Sequence, residues 1–141
     1  MTDIFIDTDV IIDFLIDREP HSREAAIIVT LIEQKKLKGY VSSLTFSNLY
    51  FVLRKIESHN KVIAKLDSIS RLLTILKVDQ QIIKLAIASG FPDFEDSIQY
   101  NCALDYKKID VLITRNIKDY KGSQIPVMTT AEYLKMISSL H

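Results

Sequence analysis

The chain has 141 residues with 18 basic and 18 acidic side chains, so its formal net charge is zero. Hydrophobic residues make up 48% of the sequence and only 3 Gly and 3 Pro are present, which excludes a disordered or collagen-like chain. A dedicated, tight nucleic-acid binder would usually be basic, but this balance is compatible with an enzyme that contacts nucleic acid through a local patch.

Short apolar runs alternate with amphipathic helical patterns along the chain. The predicted strands are residues 4–6, 40–42, 76–78, 111–114 and 126–128. The predicted helices are residues 10–15, 21–36, 43–58, 60–73, 80–88, 94–107 and 130–138. Gly39 is expected to end the second helix, and residues 115–124 to form a polar loop. This alternation predicts an α/β fold, in which helices cover both faces of a parallel sheet, and one domain over residues 1–141.

The compartment is indicated by features that the sequence lacks. A single cysteine, Cys102, cannot form an internal disulfide, which is typical of a reducing compartment. The N-terminal segment MTDIFIDTDV has neither the basic start nor the apolar core of a signal peptide. The longest apolar stretch, residues 25–32, is interrupted by Thr30 and is too short to span a bilayer. We therefore expect a cytoplasmic protein without membrane contact.

Polar side chains cluster where predicted strands end, which is where ligands bind in sheets of this kind. They form three groups: Asp7 and Asp9 after the first strand, Thr114, Arg115, Asn116 and Asp119 after the fourth, and Asp93, Glu95 and Asp96 at a helix start. Unpaired carboxylates crowded together repel one another, whereas a divalent cation among them removes the repulsion. We therefore expect Asp7, Asp96 and Asp119 to form one site for Mg²⁺ or Mn²⁺, which can activate water for attack on a phosphodiester.

Each acid also has a simpler interpretation. Asp7 and Asp93 are well placed to cap the helices that follow them, and for each residue taken alone capping is favoured. Asp119 could be a solvated loop residue. Glu95 does not share the helix face of Asp96 and is expected to be solvated. It is the combination of acids at one sheet edge that favours a site.

The chain resembles the PIN domain family in four segments that occur in family order: IFIDTDVIIDFL, SSLTFSNLYFVL, DFEDSIQYNCAL and DVLITRNIKDYKGSQIPVMTTAEYL. The resemblance is to small, single-domain bacterial members of the VapC-like toxin type. It implies a three-layer α/β/α sandwich with a central parallel sheet and a metal-dependent ribonuclease. It also implies an RNA substrate, an antitoxin partner and a homodimer.

The family's functional residues carry over by position. Three of its usual four acids fall on Asp7, Asp96 and Asp119, which implies that these residues are catalytic and hold the metal. Thr114 and Asn116 match the supporting polar residues of the Thr-Arg-Asn motif. Asp9 and Asn48 are two further supporting residues, and Asp9 could add a hydrogen bond. Arg115 and Lys118 are candidates for substrate binding.

Asn48 is a departure from the family pattern. The family's second acid, usually Glu, aligns with Asn48, and no Asp or Glu occurs between Gln34 and Ile56. A neutral amide oxygen removes one negative charge, so metal is expected to bind more weakly unless Glu95 or Asp93 turns inward. We expect Asn48 to point into the acidic pocket; the alternative is that it only caps or lines its helix.

Two other functions compete with an active nuclease. One is a PIN module that acts by binding after its site has decayed, which Asn48 would favour. The other is a haloacid-dehalogenase-like phosphohydrolase with Asp7 as nucleophile and Asp9 as general acid. The phosphohydrolase lacks a convincing lysine element here and leaves the Thr-Arg-Asn segment unexplained.

The remaining candidates favour structural roles. The three histidines share no metal-ligand spacing and are expected at the surface: His21, His59 and His141. Aromatic residues, including Phe51 and Tyr120, are expected in the core or in an interface rather than in a base-stacking platform. Arg54 and Lys55 could contact phosphates, but a solvated helix face is favoured.

Overall fold

The computed structural model of the chain describes residues 2–139. Its β-strands are β1 (Thr2–Ile6), β2 (Leu37–Ser42), β3 (Thr74–Leu76), β4 (Val111–Ile113) and β5 (Val127–Met128). Its α-helices are α1 (Thr8–Leu15), α2 (Ser22–Glu33), α3 (Ser43–Leu53), α4 (His59–Leu72), α5 (Gln80–Ala88), α6 (Phe94–Tyr106) and α7 (Thr130–Ser138). A 3₁₀ helix, Ile117–Tyr120, lies between β4 and β5.

The five strands form one sheet in the order β3-β2-β1-β4-β5, and every pairing is parallel. Side chains of β1 alternate between the two faces because successive residues of a strand point in opposite directions. Ile4 and Ile6 pack in the core beneath α1 to α4 and α7, whereas Phe5 packs in the core beneath α5 and α6. The predicted three-layer α/β/α fold with a central parallel sheet is confirmed.

The third strand lies two residues earlier than predicted. Its pairs with β2 join Tyr40 to Thr74 and Ser42 to Leu76. Because β2 ends at Ser42 and α3 begins at Ser43, Lys77 and Val78 have no strand residue of β2 to pair with. The predicted strand 76–78 is therefore wrong except for Leu76.

The sequence predicts that Gly39 ends the second helix, and this prediction is wrong. The helix ends at Glu33, and Lys35 takes the left-handed conformation with φ of 60°. Gly39 lies inside β2, where an added Cβ would come within 2.6 Å of Ile32 Cδ1 and 2.7 Å of Leu73 Cδ2. The glycine therefore permits close packing of α2 against the sheet.

Within residues 2–139, no helix is both long enough and apolar enough to cross a membrane.

Candidate active site

The candidate site lies at the carboxyl ends of β1 and β4, which are adjacent in the sheet. From β1 the chain adds β2 and β3 on one side, and β4 and β5 lie on the other side, so the order of the strands reverses between β1 and β4. Ligands of open α/β sheets bind at such reversals, because the loops diverge there and leave a crevice. Asp7 directly follows β1, and its backbone N–H donates to the carbonyl of Ile113 at 2.9 Å. Thr114 directly follows β4. The parallel pairing of β1 and β4 therefore brings the two residues side by side.

The Asp7 side chain serves the fold and the pocket with different oxygens. It is 4% exposed, and its Oδ1 caps α1 by accepting from the Asp9 N–H at 3.0 Å. Its Oδ2 accepts from Thr114 Oγ1 at 3.1 Å and from the Tyr120 hydroxyl at 2.7 Å. The capping interpretation is therefore correct, and it is compatible with a position in the site.

Tyr120 lies in the core, as predicted, and its hydroxyl also contacts the candidate site, which the sequence did not indicate. The 3₁₀ helix, in a segment expected to be a polar loop, buries its ring while its hydroxyl reaches Asp7. The hydroxyl also lies 3.5 Å from Asp96 Oδ1 and accepts from Gln99 Nε2 at 2.9 Å. Burial and the neighbouring carboxylates raise the pKa of Tyr120, so it remains a proton-bearing donor.

Buried polar groups connect the helices around the site. Gln99 Oε1 accepts from both the backbone N–H and the hydroxyl of Thr8 at 2.8 Å. The Thr8 hydroxyl is 2.9 Å from the Thr45 hydroxyl, which links α1 to α3. Buried polar groups with satisfied hydrogen bonds hold one geometry. The network therefore fixes the relative positions of α1, α3 and α6 at the site.

The Thr-Arg-Asn segment positions a second acid. Thr114 Oγ1 accepts from the Asn116 N–H at 3.3 Å, and Asn116 Nδ2 donates to Asp119 Oδ1 at 3.4 Å. Thr114 thus contacts Asp7 while Asn116 contacts Asp119. Both predicted supporting residues lie where they orient a carboxylate.

A cavity of about 400 Å³ opens above these residues. Its lining includes six acidic side chains: Asp7, Asp9, Asp93, Glu95, Asp96 and Asp119. None of the described residues that line it is Lys, Arg or His, and we call it the acidic pocket. Glu95 is exposed, as expected, but it also lines this pocket. Asp93 caps α6 by accepting from the Asp96 N–H at 3.0 Å.

The crowding of carboxylates changes their acidity. Burial, followed by the charges of Asp7, Asp93, Asp119 and Asp9, raises the pKa of Asp96 to about 7. Desolvation and then the charge of Asp7 raise the pKa of Asp9, although Arg115 and Arg18 act in the opposite direction. Desolvation and the nearby acids also raise the pKa of Glu95. The pocket therefore favours a proton or a cation among its carboxylates.

The donor set of the pocket fits a hard divalent cation that keeps part of its water shell. Within residues 2–139, no three or more His, Cys, Asp or Glu side chains form a group that could hold an ion by themselves. Mg²⁺ usually binds through one or two carboxylates and retains several waters, so it does not require such a group. Asp7, Asp96 and Asp119 all line the pocket, and their binding to one ion stays a prediction.

Asn48 lines the acidic pocket from α3. With Glu95 it also lines an adjoining cavity of about 200 Å³, so the amide lies on the same side of the pocket as an additional acid. The direction of the Asn48 side chain and its effect on metal affinity both stay predictions.

Arg115 makes an ion pair in the structure. Its Nη1 lies 2.8 Å from Asp13 Oδ1, and Arg18 Nε lies 2.6 Å from the same oxygen. Asp13 is 1% exposed, so the two cations neutralise a buried charge on α1. Lys118 is exposed on the 3₁₀ helix. A substrate-binding role stays a prediction for both residues, and Arg115 has a structural role as well.

The two histidines that the structure describes, His21 and His59, lie outside this site. Neither His21 nor His59 lines the acidic pocket, and His59 Nδ1 instead hydrogen-bonds the Tyr50 hydroxyl at 2.9 Å. His141 lies outside the described residues.

The sequence matches the PIN domain family over residues 3–118, and the chain therefore belongs to this family. The match extends from β1 into the 3₁₀ helix that carries Asp119. It thus spans the segments that bear Asp7, Asp96 and Asn116.

Individual proteins are similar over nearly the whole chain. Ribonuclease VapC1 of Aquifex aeolicus (strain VF5) is 26% identical over 142 residues, which cover 97% of this chain and 96% of that protein. A toxin-antitoxin complex from Klebsiella pneumoniae has a chain with a TM-score of 0.66 and 23% identity, covering 90% of this chain and 97% of the other. A chain of DNA-bound VapBC from Salmonella typhimurium has a TM-score of 0.66 and 19% identity to this chain, and the match covers 92% of this chain and 99% of the other. The two structures support the shared fold.

Proposed function

We propose that this chain is an endoribonuclease that depends on Mg²⁺ or Mn²⁺ and is the toxin of a type II toxin-antitoxin pair. The observation that carries the proposal is the acidic pocket, in which Asp7 is one of six lining acids and is held by hydrogen bonds from Thr114 and Tyr120. Its position at the carboxyl ends of β1 and β4, in a PIN fold, is suited to phosphodiester hydrolysis. The similarity to a protein named as a ribonuclease supports the same activity.

Asp7, Asp96 and Asp119 would hold the ion, one or two of them directly and the rest through its retained waters, and the ion would supply Lewis acidity and an activated water. Thr114 and Tyr120 limit rotation of the Asp7 carboxylate, and Asn116 orients Asp119. Asp96 must lose its proton to act as a ligand, so its raised pKa opposes binding at low pH. In this proposal the acids act as ligands and form no covalent bond to the substrate.

Charge explains why the pocket would need a cation before it accepts RNA. The six acids would repel a phosphodiester, and no Lys, Arg or His among the lining residues offsets them. A cation held by these acids would supply the positive charge that offsets this repulsion, so RNA binding is expected to depend on metal. Asn48 lowers the negative charge of the pocket by one relative to the usual family pattern, while Glu95 adds an acid nearby.

The proposal is tested by incubating a 5′-labelled single-stranded RNA with the protein in Mn²⁺, in Mg²⁺ and in a chelator. We expect internal cleavage in both metals and none in the chelator. Absence of cleavage in all three conditions would contradict the nuclease. A phosphoenzyme formed at Asp7 from a phosphomonoester would instead support the haloacid-dehalogenase-like alternative.

The decayed module is the second candidate, and Asn48 in place of the usual Glu is the observation that favours it. The two candidates differ in metal binding, because a ligand that binds only the folded state raises thermal stability. We expect Mn²⁺ to raise the melting temperature of the nuclease. A melting temperature that is insensitive to Mn²⁺ would favour the decayed module.

The proposed partners are an antitoxin and a second copy of the chain. A groove of about 440 Å³ among α1, α2 and α4 has a largely apolar lining, which includes Phe14, Leu15, Val29, Ile69 and Leu72. Such a lining supports docking of an apolar antitoxin segment, and the similar structure from Klebsiella pneumoniae is a toxin-antitoxin complex. A gene for a small antitoxin-like protein is expected directly beside this gene. Light scattering that gives the mass of one chain at high concentration would contradict the homodimer.

A further inference from the structure

We propose that Phe51 and Lys55 form a platform on which a nucleobase of the substrate stacks beside the acidic pocket. This inference rests on the proposed ribonuclease function, since it names the residues that would position the RNA. It also revises the expectation that these residues have only structural or solvated roles.

The exposure of Phe51 is the first observation. Its side chain is 67% exposed although the residue lines the acidic pocket together with Asn48 and Val52. Asn48 and Phe51 are three residues apart, so they lie on one face of α3. The ring of Phe51 therefore stands in solvent at the edge of the site. An aromatic ring in this position can stack with any nucleobase, so the contact does not depend on the RNA sequence.

Lys55 is the second observation. Its Nζ lies over the Phe51 ring, 4.6 Å from the ring centroid. The contact is a cation–π interaction, and it places a positive charge beside a pocket whose lining residues include no cation. A phosphate next to a stacked base would be attracted to Lys55 and repelled by the uncompensated acids. The pair thus recognises the two chemical parts of a nucleotide, the flat base and the anionic phosphate.

Charge also favours RNA over a second copy of this chain as the occupant of the platform. A symmetric contact between two Phe51 residues would bring two acidic pockets near each other, with six carboxylates in each. An RNA strand presents aromatic bases to the ring and phosphates to Lys55, so both groups of the platform are matched. Self-association through Phe51 is accordingly an outcome that the experiment can detect.

The experiment measures steady-state cleavage of a 12-nucleotide single-stranded RNA in Mn²⁺ by wild type, Phe51→Ala, Phe51→Trp and Ile87→Ala. Ile87 is the control, since it is 70% exposed but lies on α5, which packs on the other face of the sheet. Loss of one base stack weakens binding about tenfold. We therefore expect Phe51→Ala to raise KM about tenfold and to change kcat little, Phe51→Trp to restore KM, and Ile87→Ala to have no effect.

An abasic nucleotide moved along the RNA identifies the stacked base. In wild type, one abasic position should raise KM by about the same factor as Phe51→Ala, and in Phe51→Ala that position should have no further effect. Unchanged KM in Phe51→Ala, or full additivity of the two changes, would overturn the platform. Conversion of a dimer to a monomer by Phe51→Ala would likewise overturn it and assign the ring to a chain–chain interface.

A binding measurement separates this inference from the proposed function. If wild type does not cleave RNA, the nuclease proposal fails, and 2-aminopurine fluorescence in the same RNA still reports stacking. Quenching by wild type that is lost in Phe51→Ala would support the platform alone. Quenching that is absent in wild type, or that persists in Phe51→Ala, would overturn the platform.

Discussion

The Tyr120 hydroxyl contacts two of the acids that line the pocket, Asp7 at a short distance and Asp96 at a longer one. Its hydroxyl is 2.7 Å from Asp7 Oδ2 and 3.5 Å from Asp96 Oδ1. One hydroxyl proton serves one acceptor at a time, so the shorter contact to Asp7 is the hydrogen bond that matters most for orientation. Thr114 donates to the same Asp7 oxygen, and the carboxylate is thereby held from two sides.

Tyr120→Phe tests this arrangement. The substitution keeps the ring but removes the hydrogen bond to the Asp7 carboxylate, worth about 2 kcal/mol, together with the one accepted from Gln99 Nε2. We expect kcat/KM for RNA cleavage to fall about tenfold to thirtyfold. Tyr106→Phe is the matched control, because its hydroxyl contacts Tyr40 rather than a pocket acid. Equal activity of Tyr120→Phe and Tyr106→Phe would mean that the Asp7 orientation does not depend on Tyr120.

Asn48→Glu tests the effect of the missing family acid. A fourth carboxylate in a partly desolvated pocket adds attraction to a divalent ion, so Mn²⁺ should bind more tightly. In the metal-free protein the same charge lies near Glu95 and should lower the melting temperature. Isothermal titration and thermal melting measure the two effects.

Ser43→Glu is the control for that substitution, since Ser43 is exposed at the start of α3 and does not line the pocket. If Asn48→Glu binds Mn²⁺ no more tightly than wild type does, Asn48 is not a site residue.

The sequence predicts the positions of some site residues better than those of others. Asp7 and Thr114 directly follow strands, so the parallel pairing of β1 and β4 determines that they meet. Tyr120 reaches Asp7 only because a 3₁₀ turn rotates it inward, and no periodic pattern marks a turn of four residues. Phe51 lies on a helix with apolar residues on several sides, so its exposure depends on tertiary packing.

At the scale of elements, Arg115 connects the loop after β4 to helix α1. The buried Asp13 carboxylate contacts Arg115 and Arg18 through one oxygen, and its Oδ2 has no hydrogen-bond partner among the described residues. Because a buried charge is costly when it is poorly paired, the contribution of Arg115 to stability is larger than that of a surface cation.

Arg115→Ala is therefore expected to destabilise the fold by about 2 kcal/mol, as well as to weaken RNA binding if Arg115 contacts substrate. Lys118→Ala is the comparison, since Lys118 is exposed nearby on the 3₁₀ helix and should leave the melting temperature unchanged. Chemical denaturation measures the free energy of unfolding. A loss in Arg115→Ala no larger than that in Lys118→Ala would refute the structural role.

The order and type of the elements could be predicted because their patterns are strong. Val111 to Ile113 is a short, apolar, β-branched run, and Thr129 with Glu132 forms the capping box that begins α7. The errors concern ends that depend on neighbours. Strand β3 ends with its partner β2, and α2 ends where Lys35 adopts a left-handed conformation, and neither event has a local sequence signal.

At the scale of the whole molecule, the acidic pocket makes stability depend on pH. The folded-state pKa of Asp96 is about 7, above its ordinary value of 3.8, so the folded chain retains a proton that the unfolded chain releases. The contribution of Asp96 to the stability of the metal-free protein should therefore be complete below about pH 4 and should be lost as the pH rises through 7. The pKa values of Asp9 and Glu95 are also raised, so these two groups act in the same direction.

Thermal melting in a chelator between pH 5 and pH 8 tests this linkage. We expect the melting temperature of wild type to fall across this range and Asp96→Asn to reduce the slope, because the amide does not titrate. Asp105→Asn, at an exposed position of the same helix, should keep the wild-type slope. Mn²⁺ should reverse the decline near pH 7 and above, where Asp96 is charged. Identical slopes for Asp96→Asn and wild type would show that Asp96 does not carry the effect.

Cleavage of single-stranded RNA in Mn²⁺ by Asp7→Asn, Asp96→Asn and Asp105→Asn tests the central claim most directly. All three variants exchange a carboxylate for an amide, but only Asp7 and Asp96 line the acidic pocket. We predict that the first two lose activity by about two orders of magnitude or more, while Asp105→Asn cleaves like wild type. Undiminished cleavage by both pocket variants would contradict the account, since the activity would then arise elsewhere than in this pocket.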